Sequence, residues 1–167
     1  MINLKKQNFK SIEITDISAV DESVWKPKLE KADVLFFEGG YTYHLMKWLN
    51  KSSLAKMLLE LLKNKVYVGV SAGSMVTNKK LVFKISQITY REHLKYLDKV
   101  KEMSGLNFVD FYFLPHLNSH KELKENFIRR ILKGMSEKIY ALDDNSALKI
   151  IDEKIEVISK GKWFVIN

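Results

Sequence analysis

A serine with a glycine two positions away on each side is the residue of this chain best suited to chemistry. Ser71 lies in the sequence Gly-Val-Ser-Ala-Gly over residues 69–73, directly after the apolar run 66–68. In a nucleophile elbow this G-x-S-x-G pattern turns a strand sharply into a helix, and small neighbours make room for the turn. Amide groups at the helix start can stabilise negative charge on a substrate carbonyl oxygen. The pattern predicts a nucleophile for acyl transfer, although tight packing alone would also favour small residues here.

A serine nucleophile needs a general base within hydrogen-bonding distance, and the chain has four histidines. His116 follows Pro115 at the end of a strand-like run, so its position favours it. His120, at the start of a predicted helix, is the second candidate. His44 fits a packed or surface side chain, and His93 lies in a charged, solvated stretch. His116 and His120 lack a third ligand nearby, so we predict neither a metal site nor a cofactor.

Hydrophobic periodicity predicts strands that alternate with helices. The predicted strands cover residues 10–17, 33–38, 66–70, 81–90, 108–114, 138–142, 147–152, 154–159 and 162–166, the last three as a meander. The predicted helices lie within 18–31, 42–50, 52–64, 72–78, 91–103 and 119–135, with Trp25 as an anchor in the first and Ser119 as the cap of the last. This alternation indicates a three-layer α/β sandwich with a mostly parallel sheet.

In such a sheet the reactive crevice lies at the carboxyl ends of the strands. Gly39 and Gly40 follow one predicted strand, Ser71 follows a second and His116 follows a third. We therefore expect the serine, the histidine and the glycine turn to meet at one edge of the sheet.

The composition favours a single-domain protein over a nucleic-acid-binding, membrane or secreted protein. The chain has 167 residues, which suits a single domain over residues 1–167. Its net charge is +8, but the cations are mostly lysines spread along the chain, so we expect a solvated surface rather than a nucleic-acid site. No apolar segment approaches the length of a membrane span, and no signal-peptide core or cysteine is present, which fits a cytoplasmic protein.

Four blocks of the sequence resemble peptidase family S51, which includes peptidase E-like (aspartyl dipeptidase) and cyanophycinase-like serine peptidases. The blocks are residues 37–46, the serine turn at 69–74, residues 105–116 ending in Pro-His, and 142–147. The resemblance implies a class I glutamine amidotransferase-like fold. It also implies that Ser71 is the nucleophile and His116 the general base. Other roles carried over are an oxyanion hole from the amides of Gly40 and Ala72, and substrate binding by Gly39, Tyr41 and Thr42.

The third catalytic group remains open at this point. The family places an acid between the serine and the histidine, which makes Glu92 the first choice, Asp98 the second and Asp110 the third. Each of the first two would also suit a solvated helix face. Tyr41 stands where the family usually has asparagine, which predicts an altered substrate pocket.

The resemblance implies hydrolysis of short peptides, with Asp-x dipeptides as the substrate class. The alternative is a catalytically impaired member that binds a ligand or a partner protein. Relative to the family, the sequence lacks the usual N-terminal strand-helix-strand-helix portion. We therefore expect the apolar surface of Phe9, Ile12, Ile14, Trp25 and the strand 34–37 to lack a cover within the chain and to be buried by self-association as a homodimer.

Overall fold

The computed structural model describes residues 4–81, 85, 103–119 and 123–167. The chain combines helices and strands, so the mixed α/β class is confirmed. It divides into two compact units, one of Met1–Leu35 and Lys47–Tyr67, the other of Phe36–Met46 and Val68–Asn167.

The elements follow one another in short segments. In chain order they are a 3-10 turn (Leu4–Lys6), α1 (Glu22–Lys31), β1 (Val34–Phe37), α2 (Thr42–Lys51), α3 (Leu54–Leu61), β2 (Val66–Gly69), α4 (Ala72–Met75), β3 (Lys80–Leu81), β4 (Met103–Ser104), β5 (Tyr112–Leu114), α5 (Glu125–Ile131), β6 (Ile139–Leu142), β7 (Ser146–Ile151), β8 (Lys154–Ser159) and β9 (Trp163–Ile166).

The first unit is organised around buried helix faces. Helix α1 begins at Glu22 because the side chain of Asp21 accepts a hydrogen bond from the amide of Ser23. Trp25 on this helix is only 1% exposed, as its predicted anchoring role requires, so the expectation that it lacks a cover is wrong. The same correction applies to Leu35 of β1, which is 4% exposed. Helix α3 likewise buries Leu54 and Leu58. Both helices therefore turn apolar side chains toward a core, as predicted for Trp25 in the first and for the leucines of the second.

The second unit contains a three-stranded sheet in the order β5-β6-β9. Strand β5 runs parallel to β6, and β9 runs antiparallel to β6. Ile128 of helix α5 and Leu132 at its C-cap are buried in the same core cluster as Leu114 of β5 and Ile139 of β6. This packing fixes the carboxyl ends of β5 and β6 side by side, because the two strands run in the same direction.

Strands β7 and β8 form an antiparallel hairpin whose turn is Asp152–Glu153, both with positive φ. This hairpin was predicted, but the predicted meander is wrong, because β9 returns to pair with β6 rather than with β8. Leu148 and Val157 explain the change, since they pack on a second buried cluster that includes Tyr140 of β6. The hairpin therefore lies against the core while β9 completes the sheet.

Two further predictions are corrected. Residues 10–17 form no strand, and Ile14 is 90% exposed. The side chain of Asp16 instead accepts hydrogen bonds from the amide and hydroxyl of Ser18, which favours a turn. The last long helix begins at Glu125 with Lys124 as its N-cap residue, and not at Ser119. Ser119 instead donates its amide to the carbonyl of His116.

The predicted segments 81–90 and 91–103 lie mainly outside the described residues. Their two ends are visible, and Leu81 pairs with Met103 in the short antiparallel ladder of β3 and β4. The described sheets have the orders β1-β2, β3-β4, β5-β6-β9 and β7-β8, and the three-layer sandwich stays a prediction. Within the described residues, no helix is long and apolar enough to cross a membrane.

Candidate active site

Ser71 occupies the turn between strand β2 and helix α4. Its backbone has φ 53° and ψ −110°, a region that non-glycine residues rarely adopt. Such strain persists only where the surroundings hold it in place, and it is concentrated at functional sites. The strained strand-to-helix turn predicted from the glycine spacing is confirmed.

The glycines around Ser71 are required by close backbone packing. A methyl group on Gly73 would lie 2.1 Å from the carbonyl oxygen of Phe37 at the end of β1. A methyl group on Gly69 would lie 2.6 Å from the carbonyl carbon of Gly73. The hydroxyl of Ser74 donates to the carbonyl oxygen of Gly69 at 2.7 Å and closes the turn. Only small residues allow the chain to reverse so tightly here.

His116 lies directly beyond strand β5, after the buried Pro115, and has φ 63°. Its Nε2 atom is 2.9 Å from the hydroxyl oxygen of Ser71, which is a hydrogen-bond distance. The amide of Leu117 donates to the carbonyl oxygen of Leu142 at 3.0 Å and ties this loop to the end of β6. The structure thus brings together the serine and the histidine that the sequence singled out.

Asp144 lies on the other side of the imidazole. Its Oδ1 atom is 2.7 Å from Nδ1 of His116, and it sits on the turn between β6 and β7. A carboxylate in this position favours the imidazole tautomer that carries its proton on Nδ1, and that tautomer has Nε2 free to accept the hydroxyl proton of Ser71. The side chain of Asp144 is 67% exposed and that of His116 36%, so solvent reaches this side of the site.

The turn after β1 borders Ser71 on another side. A methyl group on Gly39 would lie 3.2 Å from Cβ of Ser71 and 3.6 Å from its hydroxyl oxygen. Gly40 has φ +130°, a conformation that side chains rarely allow. The predicted neighbourhood of the glycine turn and the serine is therefore present.

The two residues after this turn differ in burial. Tyr41 is partly buried, and burial together with the neighbouring Tyr43 raises the pKa of its hydroxyl. Thr42 is fully buried, and its hydroxyl lies 3.6 Å from the sulfur of Met75 on helix α4. Thr42 thus packs the start of α2 against the helix that follows Ser71, whereas Tyr41 keeps some exposure.

Comparison with known proteins identifies the family. The model of peptidase family S51 matches residues 3–158. The chain belongs to peptidase family S51. An uncharacterized peptidase of Listeria monocytogenes is 30% identical over 152 residues, covering 89% of this chain and 70% of the relative. Peptidase E of Haemophilus influenzae is 27% identical over 141 residues, covering 83% of this chain and 64% of the relative.

Solved structures extend the S51 similarity to the fold. A crystal structure of a Listeria monocytogenes protein, described as a "Putative Peptidase E Protein", aligns with a TM-score of 0.73 at 27% identity, covering 89% of this chain and 70% of that one.

An uncharacterized peptidase of Listeria innocua is 29% identical over 135 residues, covering 79% of this chain. The chain spans 61% of the length of that relative.

The carboxylate that contacts His116 was not among the acids predicted from sequence order. Glu92 and Asp98, the first two of the three predicted candidates, lie outside the described residues, so these predictions are not tested, and the spare histidine His120 lies outside them too. Asp110, the third candidate, is described and is exposed. Asp144 makes the observed contact with His116. Sequence reasoning noticed the block 142–147 but gave it no role. His116 was selected because it follows a predicted strand. The same criterion would have selected Asp144, which stands two residues beyond β6.

The described part of the chain holds no group of three or more His, Asp and Glu side chains arranged to bind a metal ion. The chemistry that its site can perform is proton transfer between Ser71 and His116, with a carboxylate oriented toward the imidazole.

Proposed function

We propose that this S51 chain is a serine-type peptidase that hydrolyses short peptides by acyl transfer. Ser71 is the nucleophile, His116 the general base and Asp144 the acid that orients the imidazole. The observation that carries the proposal is the unbroken series of contacts from the Ser71 hydroxyl through His116 to Asp144, at 2.9 Å and 2.7 Å. The relatives named peptidase E support the same class of reaction.

The first half of the reaction forms an ester on Ser71. Nε2 of His116 takes the hydroxyl proton while the oxygen attacks the peptide carbonyl carbon, and a tetrahedral intermediate results. The imidazolium then gives this proton to the leaving nitrogen, the C–N bond breaks, and an acyl-enzyme remains. Asp144 stabilises the imidazolium and keeps the Nδ1 proton in place.

The second half removes the acyl group. A water molecule takes the position of the departed amine and loses a proton to Nε2 of His116 as its oxygen attacks the ester carbon. Collapse of the second tetrahedral intermediate returns that proton to the Ser71 oxygen and releases the carboxylate product. The free enzyme is regenerated with the proton arrangement it had at the start.

The oxyanion of both intermediates needs hydrogen-bond donors close to Ser71. We assign the amides of Gly40 and Ala72 to this task, since Ala72 begins α4 directly after Ser71 and the Gly39–Gly40 turn borders the serine. Gly39 and Tyr41 would form the adjoining substrate wall, with Thr42 fixing the start of α2 beneath it. The proposal includes a class I glutamine amidotransferase-like three-layer sandwich, in keeping with the parallel pair β5–β6.

We propose dipeptides with an amino-terminal aspartate as the substrate class, on the resemblance to the peptidase E-like group. Purified protein would be assayed with Asp-Leu, Glu-Leu, Ala-Leu and Lys-Leu by quantifying free leucine. The proposal expects turnover of Asp-Leu above the others and none with the Ser71→Ala variant. If another dipeptide of this panel is hydrolysed and Asp-Leu is not, the proposed specificity is wrong but the peptidase activity stands.

The alternative is an impaired S51 chain that binds peptides without cleaving them. The same panel separates the two when binding is followed by calorimetry with wild type and Ser71→Ala. Binding without leucine release in the wild-type protein would support the alternative. The contact of Asp144 with His116 favours the enzyme, because a binding site has no need of an oriented imidazole.

A further inference from the structure

Asp144 stands on an exposed turn, yet its carboxylate must stay within a fraction of an ångström of His116 to orient the imidazole. A solvated side chain on a loop has no buried neighbours to hold it, so the backbone of the turn must be rigid instead. The residue just before it, Asp143, is the centre of a dense group of hydrogen bonds. These bonds hold the backbone from which the Asp144 side chain extends.

Both carboxylate oxygens of Asp143 accept hydrogen bonds. Oδ1 accepts from the hydroxyl of Ser146 at 2.7 Å and from the amide of Asn145 at 3.1 Å. Oδ2 accepts from the amide of Lys162 at 2.6 Å. The backbone of Asp143 adds two bonds, since its amide donates to the carbonyl of Lys162 at 3.0 Å and its carbonyl accepts from the amide of Ser146 at 3.1 Å.

Further hydrogen bonds around Ser146 support this carboxylate. The hydroxyl of Ser146 lies 2.7 Å from the hydroxyl of Ser159, and the Ser159 oxygen accepts from the amide of Gly161 at 3.0 Å. A methyl group on Gly161 would lie 2.2 Å from Oδ2 of Asp143, so only glycine leaves room for the carboxylate. The amide of Lys160 also donates to the carbonyl oxygen of Asn145 at 3.1 Å.

Two segments bond the Asp143 carboxylate directly, the turn 143–146 and Lys162 just before β9. Ser159 at the end of β8 supports it indirectly through Ser146. The bonds from Ser146 and Lys162 also lower the pKa of Asp143, which keeps it ionised and purely an acceptor at neutral pH. A neutral amide in its place would turn an NH₂ group toward donors, and at least one bond would be lost.

We propose that Asp143 is the positioning residue of the site: it clamps the turn 143–146 so that Asp144 is held against Nδ1 of His116. This inference rests on the proposed function, because it gives Asp144 its role there. Asp143 acts only through Asp144 and touches neither Ser71 nor the imidazole.

The test compares Asp143→Asn with Asp152→Asn, which makes the same chemical change at the far turn of the β7–β8 hairpin. Asp143→Asn is expected to lower kcat roughly ten- to a hundredfold with KM little changed, since a displacement of about 1 Å can cost a hundredfold. Asp152→Asn should stay within about twofold, as an exposed substitution away from the site. Equal activity of the two variants would overturn the proposal.

A double-mutant cycle separates positioning from general support of folding. If Asp143 acts through Asp144, Asp143→Asn causes no further loss of kcat in an Asp144→Ala background. An equal loss in both backgrounds would contradict the clamp. Where Asp143→Asn fails to fold, Ser146→Ala takes its place in the same cycle, because this variant removes one hydrogen bond to Asp143. The two possible results then support or contradict the proposal in the same way.

A spectroscopic arm needs no turnover and so stands apart from the proposed function. The Nδ1 proton of His116, assigned by its loss in His116→Ala, is followed by ¹H NMR in wild type and variants. The clamp predicts that this resonance is seen in wild type and in Asp152→Asn, but shifts or broadens in Asp143→Asn. An unchanged resonance in Asp143→Asn would overturn the clamp. An inactive wild type with the predicted shift would overturn only the peptidase proposal.

Discussion

His116 and Asp144 are 28 positions apart in the chain, yet Nδ1 of the first lies 2.7 Å from Oδ1 of the second. The two residues meet because β5 and β6 are parallel neighbours, so the segments leaving their carboxyl ends emerge at the same edge. The backbone bond from Leu117 to Leu142 fastens the two segments together just before the side chains meet. The contact is thus a consequence of strand order.

Asp144→Asn is expected to lower kcat by about a hundredfold. An amide at this position favours the wrong imidazole tautomer and no longer stabilises the imidazolium. Because Asp144 is 67% exposed, water screens its charge, so the loss should be smaller than for a buried triad acid. Steady-state kinetics on the best dipeptide measures the change.

Glu92→Gln and Asp98→Asn are the matched controls for that substitution. Both replace an acid that sequence order favoured, and both should keep kcat within about twofold, because the proposal gives the acid's role to Asp144 instead. A larger loss in either one than in Asp144→Asn would restore the acid expected from the family order.

Gly73→Ala should destabilise the protein by about 1–3 kcal/mol or more, the typical cost of overpacking. The added methyl group would lie 2.1 Å from a backbone oxygen of β1, which cannot rotate away. Gly39→Ala is the comparison, since its methyl group would lie 3.2 Å from the Ser71 side chain and needs only a small adjustment. Urea denaturation measures both.

The two glycine variants should also differ in activity. Gly39→Ala places carbon next to the nucleophile and should reduce kcat/KM while the unfolding midpoint stays near that of the wild type. Equal stability of Gly73→Ala and wild type would show that the backbone at the turn is looser than the geometry indicates.

The lowered pKa of Asp143 predicts that the free energy of unfolding depends on pH. Hydrogen bonds from Ser146 and Lys162 lower the pKa of its carboxyl below the ordinary value of 3.8. A group with a lowered pKa stabilises the folded state fully above its unfolded-state pKa, and this contribution is lost as the pH falls through the folded-state pKa. The stability difference between wild type and Asp143→Asn should therefore be constant near pH 6–7 and shrink below about pH 4. A stability difference between the two proteins that grows as the pH falls would contradict the lowered pKa of Asp143.

Self-association as a homodimer stays a prediction. It is motivated by exposed apolar residues near the N-terminus. Phe9 is 46% exposed, Ile12 41% and Ile14 90%. Burying such side chains in a symmetric dimer would be favourable. Sedimentation velocity at micromolar concentration should show a dimer that Ile14→Glu weakens. A monodisperse monomer of the wild type would rule the prediction out.

Local pattern was enough to locate the two central residues of the site. Gly69 and Gly73 mark the turn around Ser71, because backbone packing there excludes any side chain. Pro115 and the aromatic strand before it place His116 at a strand end. In both cases the constraint lies within a few residues of the functional group, where a single sequence can show it.

Local sequence could mark Asp144 as a residue beyond a strand end, but it could not show that Asp144 contacts His116. Asp144 contacts His116 through the pairing of β5 with β6, which depends on strand order rather than on local sequence. The same limit explains the wrong meander, since β9 pairs with β6 across the hairpin that separates them in the chain. Alternation over residues 10–17 likewise predicted a strand, but Ile14 points into solvent. Periodicity indicates which residues could pair and says little about whether a partner strand is available.

The activation of Ser71 by His116 is tested most directly by covalent labelling. Wild-type protein, Ser71→Ala and His116→Ala would be incubated with a fluorophosphonate, and the adduct quantified by intact mass and located by peptide mapping. The account predicts one adduct on Ser71 in the wild type, none in Ser71→Ala, and labelling slowed by at least about a hundredfold in His116→Ala. A folded wild-type protein that does not label, or that labels at the same rate without His116, would contradict it.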